Sequence, residues 1–215
     1  MTQSIVFTTS DDIEIHGLYT NTGQTNIVLL FHMMPATKES WNDIIQPFLE
    51  IGYASIAIDL RGHGQSTMNG RLNYRQFTDE QHQASQEDIE TAILFAKDQG
   101  FSEENMVLMG ASIGANLAIQ ALQKHPSIPS AVALSPGLDY HGINIESIMD
   151  QLQTHQKVLL VASDDDPYSL HSIKQLREHS PSQAASMECS GCGHGTNMLE
   201  KDPGLTEKIF SFLTP

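Results

Sequence analysis

Short apolar runs alternate along the chain with longer segments that repeat apolar residues at helical spacing. The run 27–31 (IVLLF) is apolar throughout, which is typical of a strand buried on both faces of a parallel sheet. The segment 40–50 instead places Trp41, Ile44 and Phe48 on one side of a helix. The whole pattern predicts strands at 4–8, 13–19, 27–31, 54–58, 106–109, 130–134, 158–162 and 185–188, and helices at 40–50, 80–99, 113–124, 170–178 and 205–213.

This order of elements predicts an α/β fold. Strands that alternate with helices form a mostly parallel sheet covered on both faces, joined by right-handed crossovers. The sequence contains no internal repeat, low-complexity tract or linker, so residues 1–215 are expected to form a single domain. The stretch 136–156, between the sixth and seventh predicted strands, has room for a short helix and no large cap.

Composition narrows the range of partners. A net charge of −15 disfavours nucleic acids and anionic membrane surfaces. No apolar stretch approaches the roughly 20 residues of a membrane span, and the first residues do not resemble a signal peptide. A soluble, cytoplasmic protein is therefore expected. The chain has 2 cysteines, which excludes a secreted disulfide framework.

The segment Gly110-Ala111-Ser112-Ile113-Gly114 lies between a predicted strand and a predicted helix. A serine on such a sharp turn is held in a strained conformation that lifts its hydroxyl out of the sheet. The small residues at both flanking positions are needed there, because larger side chains would collide with the neighbouring strand and helix. A simple Gly-rich turn is the alternative, but the strand and helix on either side favour Ser112 as a nucleophile.

A serine nucleophile needs a base, and His194 is the best candidate. It lies in Gly191-Cys192-Gly193-His194-Gly195-Thr196, a Gly-rich loop that follows the last predicted strand at the carboxyl edge of the sheet. The other nine histidines fall mostly in polar helical or loop segments, where a solvated position is expected.

The acid that orients this base is expected after strand 158–162. Asp164, Asp165 and Asp166 are consecutive there, and the residues alone do not choose among them. Asp166 could instead be a helix N-cap with Pro167 in the first turn, unless Ser169 takes that role.

Five stretches resemble the α/β-hydrolase superfamily, in the order Ser…Asp…His: LLFHMMP, AIDLRGHGQS, MGASIGAN, VASDDDPYS and GCGHGT. The chain is most similar to small, lidless bacterial serine hydrolases of the hydrolase_4 and dienelactone-hydrolase-like groups. The resemblance implies a central sheet of about eight strands, helices on both faces, a minimal cap or none, and no cofactor or metal. In this family the acid is followed closely by proline or an apolar residue, which favours Asp166 and implies a triad of Ser112, Asp166 and His194.

The resemblance also implies an oxyanion hole made of two backbone amides, those of Ile113 and Met34. The second follows from the family pattern His-Gly-X-Pro, which here reads His32-Met33-Met34-Pro35. Met33 replaces the glycine, so this loop cannot rely on a left-handed glycine, and either Met33 or Met34 could be the donor. Both methionines are expected to form a flexible, apolar wall that binds the substrate.

Two further motifs have weaker functional interpretations. Arg61 and His63, in the family stretch DLRGHGQS, are expected to be structural or at the rim of the site. Cys189 and Cys192 form a CxxC, but no second pair exists to complete a metal site, and the motif does not begin a helix as redox motifs do. A core cysteine at the end of a strand and a loop cysteine are expected.

The function expected from these residues is hydrolysis of small or short-chain carboxylic esters through an acyl-enzyme. The substrate is a small-molecule ester, and a halide-removing enzyme is excluded because it needs an aspartate nucleophile. A thioesterase, a lysophospholipase and an acyltransferase would use the same triad. A non-catalytic ligand-binding protein on the same fold is the alternative from another class.

Overall fold

Ten strands, eight α-helices and three short 3-10 helices make up the computed structural model, which describes residues 1–180 and 182–214. The strands are β1 (Thr2–Thr8), β2 (Glu14–Thr20), β3 (Asn26–Phe31), β4 (Tyr53–Ile58), β5 (Met106–Ala111), β6 (Ser130–Leu134), β7 (Asp139–Tyr140), β8 (Ile143–Asn144), β9 (Lys157–Ser163) and β10 (Ala184–Cys189). The helices are α1 (Asn42–Glu50), α2 (Asp79–Gln83), α3 (Gln86–Asp98), α4 (Ile113–Lys124), α5 (Glu146–Met149), α6 (Pro167–His179), α7 (Asn197–Lys201) and α8 (Pro203–Leu213).

The main sheet has eight strands in the order β1-β2-β4-β3-β5-β6-β9-β10. From β4 to β10 all neighbouring strands are parallel, whereas β1 pairs with β2 and β2 with β4 in antiparallel fashion. The predicted mostly parallel sheet is therefore confirmed. All the parallel strands end at one edge, where the loops after β3, β5, β6, β9 and β10 meet.

Two apolar layers cover the sheet, as the uninterrupted apolar runs predict. In β3, Ile27, Leu29 and Phe31 belong to a core shared with α3, α4 and α6, whereas Val28 and Leu30 face a second core with α1 and α8. All five side chains are fully buried. Period-two alternation with both sides apolar is what a strand between two helical layers requires.

The predicted helix at 80–99 is wrong as one element, because the structure divides it into α2 and α3. A capping box starts α2, in which Thr78 accepts from the Gln81 amide and the Gln81 side chain accepts from the Thr78 amide. The two helices also have different partners. His82 of α2 stacks on His141, whereas α3 packs against the sheet.

The stretch 136–156 is as small as predicted but holds more than a short helix. It contains the hairpin of β7 and β8, followed by α5. The apolar pattern also misses helix α7, which directly follows the predicted histidine loop. The two strands of the hairpin and α7 are all too short to show a hydrophobic period. In the part of the chain that the structure describes, no helix is long and apolar enough to cross a membrane.

Candidate active site

Ser112 lies on a strained turn between β5 and α4. Its φ of 53° and ψ of −120° are unusual for a residue with a side chain. A Cβ on Gly110 would collide with the carbonyl of Gly114, and one on Gly114 would collide with the carbonyl of Phe31. The predicted need for small residues at both flanking positions is therefore visible in the backbone, where even a Cβ would require β3 or α4 to move.

The first turn of α4 leaves amide groups without helical partners, as at any helix start. The carbonyl of Ser112 accepts from the amides of Ala115 and Asn116, at 2.9 and 3.2 Å. Within residues 1–180 and 182–214, neither the Ile113 amide nor the Met34 amide donates a hydrogen bond. Neither predicted oxyanion donor is therefore used by a hydrogen bond within these residues, and their role in an oxyanion hole stays a prediction.

A buried histidine shapes the loop that carries Met34. The His32 Nε2 accepts from the Leu60 amide at 3.0 Å, so its Nδ1 carries the proton and donates to the Met33 carbonyl at 2.8 Å. Burial lowers the pKa of His32, which keeps the ring neutral. Met33 does not have a positive φ, so the turn forms without the left-handed glycine of the family pattern.

The two methionines pack on opposite sides of the sheet. Met33 is half-buried against the second core, and its Sδ lies 4.0 Å from the Thr196 hydroxyl. Met34 is half-buried against the larger core, and its peptide bond to Pro35 is cis. Met33 therefore supports the histidine loop, which sequence reasoning did not anticipate. Substrate binding by either residue stays a prediction.

Asp166 and His194 are joined by a short hydrogen bond, 2.6 Å between Oδ2 and Nδ1. The other oxygen of Asp166 caps α6 by accepting from the Ser169 amide at 3.4 Å. The two roles weighed for Asp166 are therefore compatible, and Ser169 does not replace it as the cap. Burial by itself raises the pKa of Asp166, but the hydrogen bonds from His194 and Ser169 lower it below its ordinary value. The carboxylate is ionised at neutral pH.

The two preceding aspartates hold the loop that carries the histidine. Asp164 accepts from the Ser190 hydroxyl and the Gly191 amide, both at 2.7 Å. Asp165 accepts from the Gly193 amide at 2.9 Å. The hydrogen bonds from Ser190 and Gly191 lower the pKa of Asp164, and those from the Ser163 hydroxyl and the Gly193 amide lower the pKa of Asp165, so both accept as carboxylates. The structure thus separates three residues that are alike in sequence: one contacts the histidine ring and two contact its backbone support.

The histidine loop runs directly beside the Ser112 turn. A Cβ on Gly195 would lie 3.4 Å from the Ala111 Cβ. The Gly195 amide donates to the Ser135 hydroxyl at 2.9 Å, and the Ser112 amide donates to the Leu134 carbonyl at 2.8 Å. The end of β6 therefore links the two loops, through the Leu134 carbonyl and the hydroxyl of Ser135, a residue with a φ of 50°. Sequence reasoning missed Ser135, and its only signal is its position directly after a buried strand.

Tyr140 was also missed. Its hydroxyl lies 3.4 Å from the Ser135 carbonyl and 3.3 Å from the Ser169 hydroxyl. Burial raises the pKa of Tyr140, although the nearby Ser169 and Ser112 side chains act in the opposite direction. Tyr140 therefore stays protonated at neutral pH. It stands on a strand of two residues, which no apolar pattern reveals.

Arg61 is buried in an ion-pair network. It pairs with Asp88 on α3 and with Asp11 in the β1–β2 turn. Burial raises the pKa of Asp88 to about 6, although the pairing with Arg61 opposes this. The network ties three segments together, which agrees with a structural role for Arg61.

Three of the nine other histidines are buried and not solvated: His32, His63 and His82. This corrects the general expectation of solvated histidines, although for His63 burial agrees with the structural role that was one of its two expected interpretations. His63 stacks on Tyr74 with ring centroids 3.9 Å apart and meets His32 edge-on. Burial, together with the neighbouring His32, lowers the pKa of His63 to about 4. Aromatic packing, which polar neighbours in sequence do not reveal, accounts for these positions.

The two cysteines are free thiols in the second core. The Cys189 Sγ lies 3.7 Å from the Met198 Sδ, and burial raises the pKa of Cys189 to about 12. Such a thiol is a poor nucleophile and a poor metal ligand at neutral pH. Among the residues that the structure describes, no group of three or more histidines, cysteines and acidic residues is arranged to hold a metal ion.

A comparison of the sequence with known protein families shows which family the chain belongs to. The sequence profile of the Hydrolase_4 family, described as serine aminopeptidase, S33, matches residues 23–189, which is most of the chain. The chain belongs to this family. It is an α/β hydrolase, as its motifs predict.

Solved structures of hydrolases share the fold across almost the whole chain. Esterase Pf2001 of Pyrococcus furiosus superposes with a TM-score of 0.79 at 18% identity, covering 100% of this chain and 90% of its own. The dienelactone hydrolase of Anabaena variabilis gives a TM-score of 0.76 at 16% identity, with 99% and 94% coverage. A CIB-like hydrolase from Thermoplasma acidophilum gives 0.75 at 22% identity, with 99% and 98% coverage. The predicted α/β-hydrolase fold is confirmed.

A curated relative matches only in part. The non-heme chloroperoxidase CPO-A1 of Kitasatospora aureofaciens is 39% identical over 62 residues. The aligned segment is 29% of this chain and 22% of the relative. The match therefore spans less than a quarter of that protein and supports membership of the superfamily alone.

Proposed function

We propose that this α/β hydrolase cleaves small carboxylic esters with short acyl chains, through an acyl-enzyme on Ser112. One observation carries the proposal: the 2.6 Å hydrogen bond between Asp166 and His194, on a loop that runs beside the strained Ser112 turn. A nucleophile, a base and an ionised orienting carboxylate at one sheet edge are the parts that acyl transfer needs.

The hydrogen bond to Asp166 assigns the two nitrogens of His194. With Nδ1 donating to the carboxylate, Nε2 is left as the proton acceptor. In the proposed acylation step, Nε2 takes the hydroxyl proton of Ser112 as the oxygen attacks the ester carbonyl. The ionised Asp166 stabilises the imidazolium that forms. The same proton then passes to the departing alcohol.

Backbone amides stabilise the negative charge of the tetrahedral intermediate in this proposal. The Ile113 amide is at the positive end of α4, and the Met34 amide lies on the neighbouring loop after β3. The removal of one such donor typically costs about 100-fold to 1000-fold in turnover in serine hydrolases. Water then attacks the acyl-enzyme, with His194 again as the base, so the reaction needs only protein groups and water.

A short acyl chain is proposed because little of the chain is available to cover the site. The segment between β6 and β9 forms one small hairpin and the four-residue helix α5. A shallow pocket buries few methylene groups, each contributing about 0.8 kcal/mol when buried, so longer chains gain little. The names of two structural neighbours, an esterase and a dienelactone hydrolase, are consistent with ester chemistry.

A fluorophosphonate probe and a panel of para-nitrophenyl esters test this proposal. Wild-type protein should be labelled and should hydrolyse acetyl and butyryl esters, whereas Ser112→Ala should do neither. Folded wild-type protein that resists the probe and hydrolyses none of the esters would instead be a ligand-binding protein. A specificity constant that rises steadily from acetyl to dodecanoyl esters would contradict the short-chain assignment and indicate a lipase or lysophospholipase.

A further inference from the structure

The hairpin of β7 and β8 is fixed to the helix that begins at the Ser112 turn. Asn116, fully buried on α4, donates its amide hydrogens to the carbonyls of Gly137 and Ile143, at 2.9 and 2.8 Å. Its oxygen accepts from the Gly137 amide at 3.1 Å. The Asn116 side chain, one helical turn after Ser112, therefore fixes the position of the hairpin relative to the start of α4.

Helix α6 holds the same hairpin from the other side. The Ser172 hydroxyl accepts from the Leu138 amide at 3.1 Å, and the Tyr168 hydroxyl donates to the Asp139 carbonyl at 2.8 Å. The hairpin is thus anchored by α4 and α6 before any substrate arrives. A side chain on it is preorganised with respect to Ser112, which is what a contact to a reacting atom requires.

The Tyr140 hydroxyl lies between Ser135, at the end of β6, and Ser169, in the first turn of α6. Its partners are the Ser135 carbonyl at 3.4 Å and the Ser169 hydroxyl at 3.3 Å, both long against the about 2.8 Å that is usual for a hydroxyl donor. Ser135 directly follows Leu134, whose carbonyl accepts from the Ser112 amide at 2.8 Å, so the hydroxyl lies close to the Ser112 turn. Because both hydrogen bonds are long, the Tyr140 hydroxyl can rotate its proton toward a stronger acceptor, such as the oxygen of a departing alkoxide.

The order of the strands gives the side from which Tyr140 approaches. In the sequence β3-β5-β6-β9, Met34 follows β3 and Ser112 follows β5, whereas the two partners of Tyr140 follow β6 and β9. The hydroxyl therefore lies on the opposite side of Ser112 from the Met34 amide. That is the side of Asp166 and the histidine, where the leaving group must receive its proton.

We propose that the Tyr140 hydroxyl donates a hydrogen bond to the leaving-group oxygen of the ester as the carbon–oxygen bond breaks. This assignment rests on the proposed ester hydrolysis at Ser112. In that step the serine oxygen bonds to the carbonyl carbon, the bond to the alcohol oxygen breaks, and the serine proton reaches the alcohol oxygen through His194. Tyr140 keeps its own proton throughout.

A donor at this position has a characteristic kinetic effect. Alcohols that leave as strong bases carry more negative charge on the departing oxygen, so they gain most from an added hydrogen bond. Activated aryl esters, whose phenolate is already a stable anion, gain little. Tyr140 therefore makes the enzyme less sensitive to the leaving group and favours unactivated alkyl esters.

The test compares Tyr140→Phe with Tyr168→Phe on acetate esters of alcohols from para-nitrophenol to ethanol. Tyr168→Phe is the matched control, because it removes a hydroxyl that holds the same hairpin through Asp139. Loss of the Tyr140 hydroxyl should lower kcat/KM by about tenfold on the ethyl ester and by about twofold or less on the para-nitrophenyl ester. Tyr168→Phe should change both esters by the same factor.

Equal losses on both esters in Tyr140→Phe, or no loss, would overturn the assignment and leave Tyr140 a structural residue. The melting temperature of the Tyr140→Phe variant should match that of wild type, since the aromatic ring and its packing are kept. Fluorophosphonate labelling of the same samples separates this result from failure of the proposed function. If Ser112 is labelled and its alanine variant is inactive while Tyr140→Phe keeps the wild-type dependence on leaving group, only the role of Tyr140 is wrong. If Ser112→Ala stays active, the proposed function is wrong as well.

Discussion

The chain carries the tripeptide Gly-His-Gly twice, at 62–64 and at 193–195, and the two copies have different environments. Each follows a strand of the parallel part of the sheet, β4 in the first case and β10 in the second. His63 is 5% exposed, and its ring is stacked on Tyr74. The His194 side chain is 37% exposed and is bonded to Asp166. The same three residues therefore produce a packed ring in one loop and an accessible one in the other.

The carboxylates near each loop explain the difference. In the first loop, Asp59 pairs with the buried Lys38, 2.7 Å from Nζ, and also accepts from the Lys38 and Gln65 amides. In the second, Asp166 bonds to the histidine itself and to one helix amide. Asp59 is held by a lysine and two amides, whereas Asp166 is held by the histidine, so the partner of the carboxylate distinguishes the loops.

The largest expected effect separates the two histidines by activity. His194→Ala and Ser112→Ala should each lower kcat for an acetyl ester by at least about 10⁴-fold, since losses of that size are typical of triad members. Melting temperatures should stay close to wild type, because the histidine is half-exposed and the serine is on a turn. His63→Ala is the control and should keep most of its activity in whatever fraction is folded. An active His194→Ala variant would remove the distinction between the loops.

The three consecutive aspartates provide the next contrast. Asp166→Asn should lower kcat by about 10³-fold to 10⁴-fold, because a neutral amide favours the wrong tautomer of the histidine and does not stabilise the imidazolium. Asp164→Asn and Asp165→Asn should cost about tenfold or less, since an amide oxygen still accepts the loop hydrogen bonds. The measurement is kcat for one ester across the three variants. A larger loss for Asp164 or Asp165 than for Asp166 would reassign the acid.

The ion pair of the first loop should matter for folding. Lys38→Met leaves the Asp59 carboxylate buried without its cation, so the free energy of unfolding should fall by about 3 kcal/mol. Lys97→Met is the matched control, because Lys97 pairs with Glu103 at the surface and its side chain is 46% exposed. That control should cost less than about 1 kcal/mol. Equal costs in urea unfolding would show that Lys38 and Asp59 are not the support of the first loop.

The pH dependence of stability gives the smallest effect. His63 has a folded-state pKa of about 4 because it is buried, below the ordinary value of 6.5. The unfolded chain therefore binds this proton more readily than the folded chain. The stabilisation that comes from neutral His63 is fully present above pH 6.5 and is lost as the pH falls toward 4. From pH 7.5 to pH 5 the loss should be about 2 kcal/mol from His63 alone.

Asp88 acts in the opposite direction between its ordinary value of 3.8 and its folded pKa of about 6, so the effect of His63 must be taken as a difference. His63→Phe should flatten the dependence of unfolding free energy on pH relative to wild type. An identical dependence in both proteins would show that His63 is not held neutral by its packing.

Sequence alone predicted the parts of the site that local geometry determines. The glycines at 110 and 114 are fixed by contacts within one turn and with the adjacent strand, so the motif around Ser112 is readable in sequence. Asp164, Asp165 and Asp166 differ in the atoms of the histidine loop that they contact. Those contacts depend on the tertiary structure, so the sequence could not distinguish the three residues. The position of Tyr140 likewise depends on the buried Asn116, 24 residues earlier, and on a strand of two residues.

The central claim is that Ser112 carries the acyl group, and peptide mass spectrometry after rapid acid quenching tests it most directly. Protein mixed with a para-nitrophenyl ester should carry the acyl mass on the peptide that contains Ser112. The adduct should be absent in Ser112→Ala and should form far more slowly in His194→Ala. An active enzyme with no adduct under these conditions, or with the acyl group on a different residue, would contradict the account.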